Sequence, residues 1–214
     1  MKKLLVVIFL LFLSNSFADK VDISKMTRLV TNKRPVSGLV KWTGFGVGKT
    51  HTGVITLKSG NIELKGSDLI GGTFILDMTS LSINNSPKLQ THLRSEDFFD
   101  VDKFKEANFK ITKVVTIKIT KDVPATGDNS VFIPGFTTLK IIGDLTIKDK
   151  THPEELIAIV KKRGNGFTAT AETIIKDRTQ YNIIYNSSKF KAISVLGDKL
   201  IKDQIKINLE LKTN

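Results

Sequence analysis

Hydrophobic and polar residues alternate along most of this chain. In "DQIKINLELK", Ile205, Ile207, Leu209 and Leu211 fall on one side, and Gln204, Lys206, Asn208 and Glu210 on the other. That two-residue period is the mark of a half-buried antiparallel strand. "TGVITLKSGNIELKG" predicts two strands meeting in a hairpin at Ser59-Gly60, with Ile55, Leu57, Ile62 and Leu64 on one face. "GGTFILDMTSLSI" places Phe74, Leu76 and Met78 together. Phe109, Ile111, Val115, Ile117 and Ile119 continue the alternation past an irregularity near Lys113. A further strand runs through Leu139, Ile141, Gly143, Leu145 and Ile147. "ELIAIVKK" and "GFTATAETIIK" follow, joined by Arg163-Gly164-Asn165-Gly166. "KDVPATGDNSVFIPG" is turn-rich and reads as a surface excursion.

Helical signals are few. Residues 86–96 form the best case, with Ser86 able to cap and Pro87 suited to the first helical position. "SSKFKAISVLGDK" is short enough to be one helical turn or a plain loop. Just after the first helix, Phe98, Phe99 and Phe104 crowd among acids and lysines. They are either core or the wall of something the protein holds.

Eight or more strands at short spacing point to an all-β sandwich or barrel. An antiparallel sheet of this length must dispose of its edges, and closure does so completely. We therefore expect an antiparallel β-barrel of about eight strands with one or two short helices. A barrel of that size is filled by side chains or holds one slim ligand, and strand patterning cannot choose between the two.

Composition narrows the setting. The opening "MKKLLVVIFLLFLSNSFADK" has a basic start, an apolar run from Leu4 to Leu13, and Ser16-Phe17-Ala18 as a cleavage site. It reads as a secretory signal cleaved after Ala18, because the apolar run falls short of the roughly 20 residues that span a bilayer. The remainder, 19–214, is expected to be one domain. The chain contains no cysteine, which excludes disulfides, thiol nucleophiles, thiolate metal sites and a lipid-anchoring cysteine. An exported chain without disulfides fits a bacterial periplasm. The formal charge is +12. The lysines are scattered along alternating segments, so the charge reads as solvated strand faces and not as a nucleic-acid groove. Attraction to an anionic membrane surface stays open.

Catalytic signals are weak. His51, His92 and His152 stand apart from one another and from carboxylates at metal-ligand spacing. "GFGVGKT" ends like a phosphate-binding loop but lacks the required first glycine and a following helix. Glu96, Asp97, Asp100 and Asp102 cluster, yet solvated acids at a helix-to-strand corner explain them better than glycosidase chemistry. Arg178 in "KDRTQY" either pairs with a carboxylate or meets a polar ligand head.

Several segments, in order, resemble the YceI-like family of bacterial secreted proteins. They are "VKWTGFGVGKTHTGVITLKSG", "GGTFILDMTSLSI", "LQTHLRSEDFFDVDKFKEANFKIT", "IIGDLTIKDKTHP", "IIKDRTQYNIIY" and "LGDKLIKDQIKINLEL". The third, with His-Leu, a short spacer and Asp-Phe-Phe-Asp, is the most specific. The resemblance runs from about Val36 to Leu211. Two departures fall in connections: Lys105 stands where the family usually has proline, and Asp149 where glycine is common.

The resemblance implies a lipocalin-like barrel with a long apolar cavity that binds a polyisoprenoid, an isoprenoid quinone or another long-chain lipid in the periplasm. It implies a binding protein and not an enzyme, with no cofactor. The expected ligand-contacting residues are Trp42, Ile55, Phe74, Leu76, Leu93, Phe98, Phe99, Phe109, Leu145 and Arg178. Expected partners are the lipid, the membrane surface and a second copy of the chain, with no nucleic acid. The rival readings are a stress-related or scaffold protein with a filled core, and an enzyme pairing His92 with one of the nearby carboxylates.

Overall fold

Eight antiparallel strands close into a barrel in simple sequence order, each hydrogen-bonded to the next and the last to the first. This is a computed structural model, and it describes residues 31–84, 86–117 and 136–213. The expected signal peptide, Ile119 and the turn-rich excursion lie outside those residues. The strands are β1 (Thr31–Gly46), β2 (Lys49–Lys65), β3 (Asp68–Ile83), β4 (Glu106–Ile117), β5 (Phe136–Ile147), β6 (Lys150–Arg163), β7 (Gly166–Ile175) and β8 (Ile201–Thr213). Among the described residues two α-helices accompany them, α1 (Pro87–Arg94) and the single turn α2 (Ile193–Leu196).

Closure follows from the alternation. Inward residues are mostly apolar on every strand, and pairing β1 with β8 from Val36↔Thr213 onward closes the sheet on itself. Four connections gather at one end, here the cap end: the β1–β2 turn, α1 with its following loop, the β5–β6 turn, and the segment 176–200. The β2–β3 and β6–β7 turns lie at the opposite, distal end. The β6–β7 turn falls at Gly164-Asn165 as expected, with Gly164 at φ +55°.

The hairpin expected at Ser59-Gly60 does not form. β2 runs unbroken through this point, and the register with β3 slips between Leu57 and Ser59. One extra residue switches the inward face from Ile55 and Leu57 to Ile62 and Leu64, which is a β-bulge. Gly60 serves close packing here: a Cβ would lie 2.7 Å from Val36 Cγ2 and 3.1 Å from Phe74 Cδ1. The irregularity near Lys113 is present as a register shift between Ile111 and Lys113. It too flips the phase, so Val114 and Thr116 face inward and Val115 is exposed, contrary to the simple alternation.

β3 carries a larger irregularity, in "DMTSL". Between the pairs Asp77↔Thr56 and Ser82↔Val54 it uses more residues than β2. Side chains replace the missing ladder bonds. Ser80 Oγ accepts from the Thr56 amide at 2.8 Å and donates to the Asp77 carbonyl at 2.6 Å. The Asp77 carboxylate accepts from the Thr79 amide at 2.9 Å. The excursion drives Met78 and Leu81 into the core beneath α1.

α1 ends at Arg94, two residues short of the expected limit. Pro87 takes the first turn, but Ser86 makes no side-chain capping bond; its backbone carbonyl accepts from the Gln90 amide instead. The loop after α1 folds back on the helix through Phe99 N–H to Leu93 O and Val101 N–H to Arg94 O. This presses Leu93, Phe98 and Val101 into the cap-end core. At the departure from family usage at position 105, the Lys105 carbonyl accepts from the Met78 amide at 2.9 Å. Proline would retain that carbonyl.

Candidate functional site: an apolar cavity through the barrel

The barrel encloses a cavity of about 830 Å³. That lies toward the upper end of the range for small-molecule sites, about 300–1,000 Å³. Its wall joins two clusters of buried side chains. The cap-end cluster includes Val40, Trp42, Ile55, Met78 and Leu93; the distal one includes Ile111, Leu139, Ile141, Leu156 and Ala158. Four of its lining residues are alanine, Ala107, Ala158, Ala169 and Ala171, and Ala158 lies opposite Ala171 on adjacent strands. Small side chains there leave room that leucine would fill.

All ten residues singled out in the sequence line this cavity: Trp42, Ile55, Phe74, Leu76, Leu93, Phe98, Phe99, Phe109, Leu145 and Arg178. They come from β1, β2, β3, α1 and its loop, β4, β5 and the segment after β7. Phe74 and Phe109 meet across β3 and β4 with ring centroids 6.3 Å apart. Gly143 makes space for Phe109: a Cβ there would fall 2.4 Å from Phe109 Cζ and 2.6 Å from the Lys110 carbonyl oxygen. Trp42 lies over Gly53, where a Cβ would meet the indole at 2.6 Å. The Trp42 Nε1–H is buried with no hydrogen-bond partner among the described residues.

Phe98 and Phe99 belong to the cap. Phe98 is 5% exposed and packs against the rings of His92 and Tyr185 at 5.1 and 5.3 Å. One buried lysine fixes the loop that carries them. Lys148 Nζ donates to the carbonyls of Phe98 (2.8 Å), Asn182 (3.2 Å) and Glu96 (3.4 Å). Burial lowers the Lys148 pKa, while Asp100 and Asp97 pull it back up. Lys148 and Asp149 form the β5–β6 turn with φ +48° and +57°. The turn therefore tolerates the second departure from family usage, with two non-glycine residues in left-handed geometry.

Arg178 is 2% exposed, and its donors are already committed. Nη1 donates to Ile183 O at 2.6 Å, Nη2 to Tyr185 O at 2.8 Å and Ile201 O at 3.3 Å, and Nε to Lys202 O at 3.3 Å. Asp203 lies 3.4 Å from Nη2 as an ion pair. Burial pushes the guanidinium pKa down, and Asp203 and Asp177 oppose the shift. The sequence left Arg178 either a carboxylate partner or a ligand head, and pairing with a carboxylate is what the structure contains. Through the four backbone carbonyls, the guanidinium holds the segment 178–203 as a lid over the cap end.

The histidines do not converge. His92 Nε2 lies 2.9 Å from Asp97 Oδ2, and its ring is edge-on to Tyr185. His152 Nε2 lies 3.1 Å from Gln180 O, with its ring edge-on to Tyr181. His51 lies at the cavity's edge near Lys49. Among the described residues no group of three or more His, Asp or Glu side chains is arranged to hold a metal ion.

Three residues of this site are not evident from the sequence: Lys148, Glu154 and Tyr181. Tyr181 is 1% exposed, and its hydroxyl donates to Glu154 Oε1 at 3.0 Å. Glu154 lines the cavity. A signal existed for it: the inward phase of Leu156, Ala158 and Val160 extends back to Glu154 and not to Glu155.

The YceI-like domain model matches residues 28–213. The chain belongs to the YceI-like family. Among curated relatives, the UPF0312 protein VPA0850 of Vibrio parahaemolyticus is 32% identical over 111 residues, 48% of this chain and 49% of that protein, so the match spans about half the relative's length. Two solved structures share the fold. BcnA of Burkholderia cenocepacia superposes with a TM-score of 0.60 at 17% identity, covering 83% of this chain and 96% of BcnA. A polyisoprenoid-binding domain from Saccharophagus degradans, implicated in plant cell wall breakdown, gives a TM-score of 0.60 at 10% identity, covering 86% of this chain and 99% of that domain. This YceI-like chain is thus a closed, lipocalin-like eight-stranded barrel.

Proposed function

We propose that this protein holds one long apolar molecule, a polyisoprenoid, isoprenoid quinone or other long-chain lipid, inside the barrel for carriage or storage in the periplasm. The observation that carries this reading is the continuous apolar cavity of about 830 Å³. Each buried methylene contributes about 0.8 kcal/mol, so about ten of them supply about 8 kcal/mol before the costs of binding. Such a site needs little polar chemistry. The description of the Saccharophagus domain as polyisoprenoid-binding supports the ligand class.

Exchange with a membrane fits the cap end. The cavity lining reaches exposed Lys49 on one side and Asp198, Lys199 and Lys202 on the other. Beside it, Val47, Ile193 and Val195 are exposed apolar residues. Apolar side chains ringed by lysines suit an anionic bilayer surface. Vesicles rich in anionic lipid should bind the protein less at high salt, and the double substitution I193D/V195D should weaken binding; unchanged binding in both tests would exclude this contact. Among the described residues the sheet closes, which leaves little edge for a homodimer built by strand addition.

The direct test is native mass spectrometry of protein expressed from the full sequence and purified without detergent, followed by organic extraction. A co-purified long-chain lipid is the expected result. Absence of such a mass, together with failure to bind an added panel of isoprenoids and fatty-acid derivatives, would replace this reading with a non-ligand scaffold.

A further inference from the structure

Among the described residues three acids line the cavity, and two of them stand at its ends: Asp68 opens β3 at the distal end, and Asp198 lies at the cap-end mouth. The third, Glu154, is set into the wall in phase with Leu156 and Ala158. Among the described residues its carboxyl takes one hydrogen bond, from Tyr181 at Oε1, which leaves Oε2 for a group inside the barrel. The cations lining the cavity are placed differently. Lys49, Lys199 and Lys202 surround the cap-end mouth, and Lys162 and Lys212 lie toward the distal end. Arg178, also in the wall near the cap, has committed its donors to backbone carbonyls.

An acceptor that forms no ion pair among the described residues, set in an apolar wall, discriminates by head group. A hydroxyl can donate to it. A carboxylate or phosphate cannot, and meets like charge at low dielectric. Burial holds the Glu154 carboxyl above its ordinary value, while the Tyr181 hydrogen bond, His152 and Lys176 draw it down.

Resting on the lipid-holding reading above, we infer that Glu154 is a head-group recognition residue, which accepts a hydrogen bond from an uncharged, hydroxyl-bearing ligand that enters head first and disfavours anionic heads at that depth. The ligand class this selects is the long-chain alcohol or phenol over the matched acid or phosphate ester.

The test compares three ligands of one chain length: dodecanol, dodecyl methyl ether and dodecanoate. Each displaces a fluorescent apolar probe from wild type, Glu154→Gln and Glu154→Leu at pH 8. Wild type should prefer the alcohol to the ether by about ten-fold, the worth of one hydrogen bond to a charged acceptor. Glu154→Leu should erase that preference and raise dodecanoate affinity. Glu154→Gln keeps one acceptor oxygen for Tyr181 and places an NH2 donor at the other position, so it should shrink the alcohol-to-ether ratio and admit dodecanoate more readily. Ratios between ligands are used because a general loosening of the barrel would weaken all three alike. Equal alcohol-to-ether ratios in wild type and Glu154→Leu would overturn the inference while leaving the lipid holder intact. Displacement by none of the three from wild type would overturn the lipid holder and this inference with it.

Discussion

Lys148 reaches from the β5–β6 turn to the carbonyl of Phe98, 2.8 Å away, and so ties a hairpin turn to the phenylalanine cap. The same ammonium holds Asn182 of the segment after β7. Three connections of the cap end thus share one charged atom. Replacing Lys148 by alanine leaves those carbonyls without a donor, at a cost of about 1–3 kcal/mol. For a chain of this size that is a fall in melting temperature of about 3–10 °C. Thermal melts of K148A against wild type check the size. An unchanged melting temperature would show that water replaces the lysine fully.

Arg178 and Asp203 form a second tie, with four carbonyls gathered on one guanidinium. Removing one partner of a buried pair is costly, about 3–5 kcal/mol. Arg178→Met should therefore shift the urea midpoint far more than Asp177→Asn, whose partner Lys189 is exposed at the surface. Comparable shifts in the two variants would contradict the lid role given to Arg178.

Glu154 also carries a pH signature. Burial raises its folded pKa above the ordinary value of 4.5, against the pull of Tyr181, His152 and Lys176. The folded state therefore holds its proton over a window where the unfolded chain has lost it. The stabilisation is complete below about pH 4.5 and is lost as pH rises through the folded pKa. Melting temperatures of wild type and Glu154→Gln, followed from about pH 4 to 8, should diverge in favour of the variant as pH increases. Parallel curves would place the carboxyl in ordinary solvent.

The alanines of the wall offer a way to separate a holder from a filled core. Ala171 is buried on β7 and faces the cavity. Ala171→Phe should occupy cavity volume, reduce apolar-probe binding by at least about ten-fold and leave the melting temperature at or above wild type. Overpacking of a filled core would instead destabilise by about 1–3 kcal/mol.

Much of this architecture is written in the two-residue period. The inward faces of β5 and β8, and of β3 from Phe74 to Met78, follow directly from it, and the strand residues among the ten expected wall positions face the cavity for the same reason. The errors share one cause. A phase change in the alternation reads alike whether the chain turns or merely bulges, so Ser59-Gly60 suggested a hairpin and Val115 an inward side chain. The pairing with the neighbouring strand distinguishes the cases: β2 stays paired with β3 on both sides of Ser59, and β4 with β5 on both sides of Lys113. Lys148 was illegible for another reason: its partners are backbone carbonyls from loops about 30 to 50 residues away, and carbonyls have no sequence signature.

The ring of strands has no natural starting point. β1 and β8 are neighbours, with Val36 opposite Thr213, so the described chain enters and leaves the barrel side by side at the distal end. A fusion partner or surface tether attached near either strand end would leave the cap-end mouth facing outward. The same adjacency permits rewiring: a short linker from Thr213 to Thr31, with new ends at Gly164-Asn165, would keep every strand pair while changing the order in which a ribosome delivers them.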